Sequence, residues 1–518
     1  MNGARVLLDT LSANGITTCF ANPGTSEMHF VAALDDVPAV RGVLCLFEGV
    51  ATGAADGYAR VTGSPAAALV HLGPGLANGW ANLHNARRAH SPVVVIVGDH
   101  ASYHAPLDAP LQSNIGAVAS ALEGWWRHCD TSRDVARDTA DAVTAATAPP
   151  GRVATLVVAA DASWDEVPVD ATRAPRAVRT SPAEPDDRMI RRAVAGLSRG
   201  RSALLLGGDA LDADRLALAD AVARATSSRL IVETFPSVMD RGRGVVHPER
   251  LIYLSEFALD QLRDLDSLIL IGAREPVGFF AYPHVPSRLV PDGCDVVPLA
   301  PDGVDSSRAL AALADAFGAT RAAPVAVEPP SRPTGALTTA SLAQAIGSTL
   351  PEDVVIADES NTAGVHLYGA TAGSPRHRLL TLTGGSIGFG LPVAVGAALG
   401  SGQRVLALEA DGSLLYTPQA LWTMARESLN VTVVALSNRR YAILTLERQR
   451  VGASSDGAAS QRLLELDDPP LDLCALAKGM GVPATLATSA DELVAALDRS
   501  YATPGPSFIE ARLPIGLT

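Results

Sequence analysis

The sequence predicts an α/β protein assembled from three doubly wound parallel-sheet domains, and three observations carry that expectation. Short, uninterrupted apolar runs of strand length alternate with longer Gly/Ala-rich segments, the pattern of parallel strands covered by helices on both faces. Two Pro-rich stretches without periodicity, 166–187 and 323–336, divide the chain into blocks of 1–165, 188–322 and 337–518. The length of 518 residues, with 47% hydrophobic and 19% charged residues, provides for several cores and excludes a disordered chain.

In the first block, MNGARVLLDTLSANG reads as an amphipathic helix rather than a leader peptide. Buried strands are predicted at 16–21, 42–47, 66–71 and 93–98, with helices at EGVATGAADGYARVTG and GLANGWANLHNARRAH between them. The second block repeats the alternation with strands in SALLLGG, RLIVET, SLILIGA and DVVPLA, and helices at MIRRAVAGLSR and ALADAVARA. The third has strands DVVIAD, RVLALEA, VTVVALS and PSFIEAR separated by helices. The charged stretch 445–467 reads as a solvated loop, with a mobile cover over a site as the alternative.

Charge excludes some partners. Acidic residues number 55 against 41 basic, a net charge of −14, whereas nucleic acids and anionic membranes both select excess cations. No apolar run approaches the ~20 residues of a membrane span. The five cysteines (Cys19, Cys45, Cys129, Cys294 and Cys474) form no CxxC pair, so free thiols and a cytoplasmic location are expected.

Chemistry-bearing residues gather in two blocks. In VLALEADGSLLYTPQALWTMARESLNVTVVALSN (405–438), one buried strand ends at Asp411 and the next at Asn438, 27 residues on. Parallel strands finish at the same sheet edge, where ligands bind. One carboxylate and one amide oxygen suit a hard divalent cation bridging to phosphate, and Gly412 and Ser413 open a helix whose free N–H groups suit phosphate oxygens. A strand-end turn with an ordinary Asn cap is the competing account. In the first block, Glu48 follows a buried strand and opens an apolar helix, a costly place for a carboxylate without a dedicated partner. An acid stabilised by the helix dipole explains it equally well.

The 405–438 segment resembles the thiamine diphosphate motif, which runs from GDG through about thirty residues to paired asparagines. Ala410 replaces the first glycine and Arg439 the second asparagine, while the ligand positions Asp411 and Asn438 are intact. The resemblance implies Mg²⁺ held by Asp411, Asn438 and the backbone carbonyl of Arg440, with Gly412, Ser413, Asn361 and Thr362 near the diphosphate. TGGSIGFGLP (383–392) is similar to the segment that bends the cofactor, with the Gly385 carbonyl accepting from its amine and Ile387 wedged beneath its rings. Tyr441 is assigned to the same cofactor site. NPGTSE (22–27), the Glu48 segment and GPGLANG (73–79) resemble loops of the same family, which implies Glu48 beside the pyrimidine N1′ and Pro23 and Asn78 at the cofactor. The three blocks become a pyrimidine-binding, a middle and a diphosphate-binding domain.

The chain is thus similar to thiamine diphosphate-dependent 2-oxo-acid decarboxylases and carboligases, resembling acetolactate synthase large-subunit-like proteins and benzoylformate decarboxylase. His71 falls on the first active-site histidine of the decarboxylase and Thr25 on its serine, while Gln112 matches a glutamine of the synthases. The second decarboxylase histidine is matched by Ala281, with His284 shortly after. Ile443 and Leu444 are expected to line the substrate pocket, the branched Ile443 favouring a small aliphatic substrate. The implied activity is decarboxylation of a small 2-oxo acid such as pyruvate, followed by joining to a second 2-oxo acid. The alternatives are a lyase releasing an aldehyde, a nucleotide-binding oxidoreductase and a catalytically silent relative. FAD is not expected, because the middle block shows no clear flavin-binding glycine pattern. A homodimer or homotetramer with the cofactor at the subunit interface is implied as well.

Overall fold

The computed structural model describes residues 1–453 and 457–515. The first block folds into β1 (Thr18–Asn22), β2 (Arg41–Leu44), β3 (Ala66–His71), β4 (Val93–Asp99), β5 (Trp125–Cys129) and β6 (Val153–Ala159). The second supplies β7 (Ser202–Leu206), β8 (Arg229–Val232), β9 (Met239–Arg241), β10 (Glu249–Arg250), β11 (Ser267–Ile271) and β12 (Asp295–Ala300). The third contains β13 (Val354–Glu359), β14 (His377–Thr381), β15 (Val405–Ala410), β16 (Val431–Ser437), β17 (Ala484–Ala487) and β18 (Ser507–Arg512).

These strands make three sheets, ordered β2-β1-β3-β4-β6-β5, β10-β8-β7-β11-β12 and β17-β18-β16-β15-β13-β14-β9. The first two are parallel throughout. The third carries one antiparallel edge, because β9 leaves the middle block to pair with β14. Continuous burial along β4, β6, β7 and β16 matches their unbroken apolar sequence, as strands covered on both faces require. Among the described residues no helix is long and apolar enough to cross a membrane.

The outer two units share one continuous core that includes Phe20, Leu76, Phe389, Leu391 and Phe508. Its spine is the helix Glu48–Thr62 laid against the helix Gly390–Ser401. A side chain at Gly57 would overlap the Val393 backbone, and one at Gly396 the Ala54 carbonyl, so glycine permits the two backbones to touch. A buried ion pair on the helix Glu48–Thr62 reaches across the seam through Arg60. Arg60 donates to both Asp56 oxygens, at 2.7 and 2.8 Å, and to the Thr381 carbonyl at 2.8 Å.

The β9/β14 edge also buries His377, whose Nδ1–H donates to the Pro375 carbonyl at 2.8 Å and whose Nε2 has no partner. Burial, assisted by Arg241, pushes its imidazole down to about 4. The unfolded chain therefore binds a proton between about pH 6.5 and 4 that the folded chain refuses, and stability falls as pH drops through that window. The shift corresponds to about 3 kcal/mol. Urea unfolding from pH 7 to 4 should show a smaller acid loss in His377→Gln than in the parent. Equal losses would assign the acid sensitivity elsewhere.

Candidate active site

At one edge of the third sheet, β13, β15 and β16 end side by side. Asp411 follows β15 and is buried, its Oδ1 accepting from the Gly412 amide at 2.9 Å and its Oδ2 from the Arg439 amide at 2.6 Å. Arg439 turns in the left-handed region at φ +57, folding the 438–440 peptides round that carboxylate. The Asn438 Oδ1 accepts from the Arg440 amide at 3.1 Å. Burial pushes the Asp411 carboxyl up to about 6 against the pull of the Arg439 and Gly412 amides. Asn361, itself left-handed at φ +49, donates to the Ser413 hydroxyl at 3.0 Å, and the Tyr441 ring packs against Gly412. Thr362 is half-buried beside Asn361. The sequence-predicted residues Asp411, Gly412, Ser413, Asn438, Arg440, Tyr441 and Asn361 therefore form one cluster.

The 383–390 loop lies beside it, and Glu359 organises its end. The buried Glu359 carboxylate accepts from the amides of Gly388, Phe389 and Gly390 at 2.8, 2.8 and 2.7 Å. The register of β13 and β15 sets Glu409 directly alongside. Burial, with Glu359 beside it, pushes the Glu409 carboxyl well above the usual carboxylate range. The first unit pins the same loop: His84 meets the Gly384 carbonyl at 3.1 Å, while Asn85 and Asn82 donate to the carbonyls of Ser386 and Gly388 at 2.8 and 3.1 Å. Gly385 is left-handed at φ +72, Ile387 is half-buried, and the Phe279 ring of the middle unit rests on Gly385.

The second cluster stands at the edge of the first sheet. Glu48 is buried at the head of its helix, where Oε2 accepts from Asn78 Nδ2 at 3.1 Å and Gly75 leaves room for Oε1. His71 closes β3, and its Nδ1 lies 2.7 Å from Glu27 Oε2. Pro23 is half-buried and Thr25 exposed in the loop that carries Glu27. Gln112 is half-buried next to Ser113, which packs on Gly73 at the start of the helix Leu72–Arg88. Among the described residues no hydrogen bond or ion pair joins Glu48, His71, Thr25 or Gln112 to Asp411 or Asn438. Within one chain these residues thus form two clusters with no direct bond between them among the described residues.

Ile443 is half-buried and Leu444 is 46% exposed on the helix Ala442–Arg450. The loop expected over 445–467 is corrected here, since helix continues to Arg450 and resumes at Ala458–Arg462, with residues 454–456 outside the described residues. The middle unit explains the difference. Arg450 stacks on the Tyr282 ring at 3.7 Å and pairs with Glu256 and Glu447 at 2.7 and 2.8 Å, anchoring the end of that helix. Phe279 and Phe280 are half-exposed and edge-to-face at 5.0 Å, and Phe279 adjoins Phe235 and Tyr253 in the same unit. Sequence reasoning missed Glu27, Glu359, Glu409 and Phe279. Glu27 and Glu409 lay within segments it had singled out, 22–27 and 405–438. Ala281 and His284 are exposed. A cavity of about 400 Å³ at the opposite edge of the third sheet, lined by Asp240, Asp353, Arg376 and Arg378, contains none of the predicted site residues.

Two family descriptions match the chain: thiamine pyrophosphate enzyme, N-terminal TPP binding domain, over residues 1–120, and its C-terminal TPP binding domain over residues 361–511. The chain is 51% identical over 519 residues to the "Putative acetolactate synthase large subunit IlvX" of Mycobacterium tuberculosis, with 99% of each covered. It is 29% identical over 529 residues to the benzoylformate decarboxylase of Pseudomonas aeruginosa, with 97% of each covered. In fold it resembles the thiamine diphosphate-dependent 4-hydroxybenzoylformate decarboxylase of Rhodococcus jostii RHA1, with a TM-score of 0.86 at 24% identity and all of both chains covered.

Proposed function

Because the chain belongs to the thiamine pyrophosphate enzyme family, we propose that it is a thiamine diphosphate- and Mg²⁺-dependent enzyme that decarboxylates a 2-oxo acid. The observation that carries this reading is the strand edge where Asp411 and Asn438 meet. A carboxylate pushed up to about 6 by burial is stabilised by a cation, and hard oxygen donors at a site with few protein ligands suit Mg²⁺. The residues fit the group. The side-chain oxygens of Asp411 and Asn438 and the carbonyl of Arg440 are assigned to the metal, and Gly412, Ser413, Asn361 and Thr362 to the diphosphate. Pro23, Asn78, Gly385, Ile387 and Tyr441 are assigned to the rings.

When bound, thiamine diphosphate supplies the nucleophilic carbon and the electron sink for loss of CO₂. The protein supplies the rest. Glu48 holds and returns a proton at its carboxyl oxygen, with Asn78 orienting that oxygen. The glycine-rich loop, fixed by Glu359 on one side and by Asn82 and Asn85 on the other, keeps its carbonyls in one orientation. His71 delivers a proton to the product carbon, which releases an aldehyde. Ile443, Leu444 and Phe279 exclude water from the substrate's side chain. Two half-sites without a mutual bond in one chain support assembly as a homodimer or homotetramer, Glu48 of one chain facing the Asp411 edge of another.

A second reading, joining of the product carbon to another 2-oxo acid, is supported by the 51% identity to the mycobacterial relative and its name. Incubation of the holoenzyme with pyruvate, 2-oxobutyrate and benzoylformate, with products identified by NMR, separates the two. Aldehyde alone is the expected outcome, a 2-hydroxy-3-oxo acid would select joining, and absence of CO₂ release from every 2-oxo acid would overturn both.

A further inference from the structure

We infer that Glu27 is a positioning residue for the reaction, fixing the tautomer and ring orientation of His71. This rests on the reading of His71 as proton donor. Three local features confine the pair. Glu27 Oε2 accepts from the Gly24 amide at 2.7 Å and stands 2.7 Å from His71 Nδ1, so a single oxygen holds both the loop and the imidazole. The other oxygen, Oε1, is buried without a partner and pressed against Gly98, where any side chain would overlap it. The His71 ring in turn lies against Gly24 through Cγ, Nδ1 and Cδ2, where a Cβ would again overlap. The Glu27 side chain is 1% exposed and that of His71 22%, so the carboxylate is out of water while the imidazole reaches it.

An ionised carboxylate only accepts hydrogen bonds, so Nδ1 keeps its proton and the lone pair of the neutral ring stands at Nε2. Proton exchange then occurs at Nε2 alone. When the Nε2–H bond breaks, its proton forms the C–H bond of the product, the electron pair stays on Nε2, and solvent restores the proton. Burial pushes the Glu27 carboxyl up, the imidazole and the Gly24 amide pull it back, and the 2.7 Å contact holds the ring by Nδ1. No proton leaves through Glu27 itself, which touches no reacting atom in this scheme.

The test uses ¹⁵N-histidine-labelled holoenzyme, with His71 assigned by difference from His71→Gln. In the parent the neutral ring should show Nδ1–H and an unprotonated Nε2. Glu27→Ala should give a mixture of tautomers and lower kcat roughly tenfold or more, with KM and thiamine diphosphate affinity little changed. Glu27→Gln keeps an acceptor oxygen and should recover most of the tautomer preference; it also carries the test if the alanine variant does not fold. Parental tautomer and kcat in both variants would overturn the proposal. Should His71→Gln cost kcat while both Glu27 variants do not, the role of Glu27 alone fails. Should His71→Gln cost nothing, the proton-donor reading fails and the role of Glu27 falls with it.

Discussion

Glu48→Gln is expected to lower kcat roughly 10²–10⁴-fold, the range for loss of a positioned proton-transfer group. The substitution is nearly isosteric. Its amide oxygen can still accept from Asn78, and Gly75 still leaves room for the second head atom. What disappears is the ability to take up and return a proton at that point. Stability should hold or rise, because a buried carboxylate becomes a neutral amide with the same hydrogen-bond partner. Thiamine diphosphate affinity should change only a few-fold, since the diphosphate half-site is untouched. Pre-steady-state CO₂ release, calorimetric cofactor binding and thermal unfolding together check this. Full turnover in the variant would remove Glu48 from the mechanism.

The second large effect concerns retention of the cofactor. Asp411→Ala should weaken Mg²⁺-dependent thiamine diphosphate binding by at least roughly 100-fold, because losses of 10–100-fold already follow loss of groups that merely support a metal ligand. Asp411 is the one carboxylate of the proposed donor set, and its Oδ2 also anchors the Arg439 amide in the turn that presents Asn438 and Arg440. The variant therefore loses both charge and local shape. Relief of a carboxylate pushed up to about 6 by burial offsets part of the loss of its bonds from the Gly412 and Arg439 amides, so the unfolding temperature should fall only modestly. Isothermal titration with and without Mg²⁺ measures the effect. Affinity equal to that of the parent would exclude Asp411 as a metal ligand.

Much of the fold is legible in the sequence where information is local. The runs at 66–71 and 93–98 coincide closely with β3 and β4, because strands buried on both faces need nothing beyond their own apolar side chains to announce them. Asp411 and Asn438 are legible for a related reason, since a strand-helix-strand unit returns to one edge after a predictable length. β9 is the opposite case. Its three residues, Met-Asp-Arg, have no strand pattern, and only pairing with β14 of the third sheet makes them one. The role of Glu27 is hidden likewise. It lies 44 residues from His71, and the register that places Asn22 opposite Val70 brings them together. Phe279 sits in a Pro- and Gly-rich loop whose path depends on packing against Gly385. Nothing local foretells that contact. The helix ending at Arg450 depends on Tyr282 and Glu256 in the same non-local way.

The seam between the helices Glu48–Thr62 and Gly390–Ser401 has a mechanical corollary. Where Gly57 meets the Val393 backbone and Gly396 meets the Ala54 carbonyl, there is no compressible side chain between the two main chains. The buried Arg60 and Asp56 bolt the same joint to the third sheet through Thr381. A joint without slack cannot act as a clamshell hinge, so the two outer units of one chain turn as a single block. Freedom to shift is left to elements outside that joint, such as the helix Ala442–Arg450, which has only Ala442 fully buried and is held at its far end by Arg450.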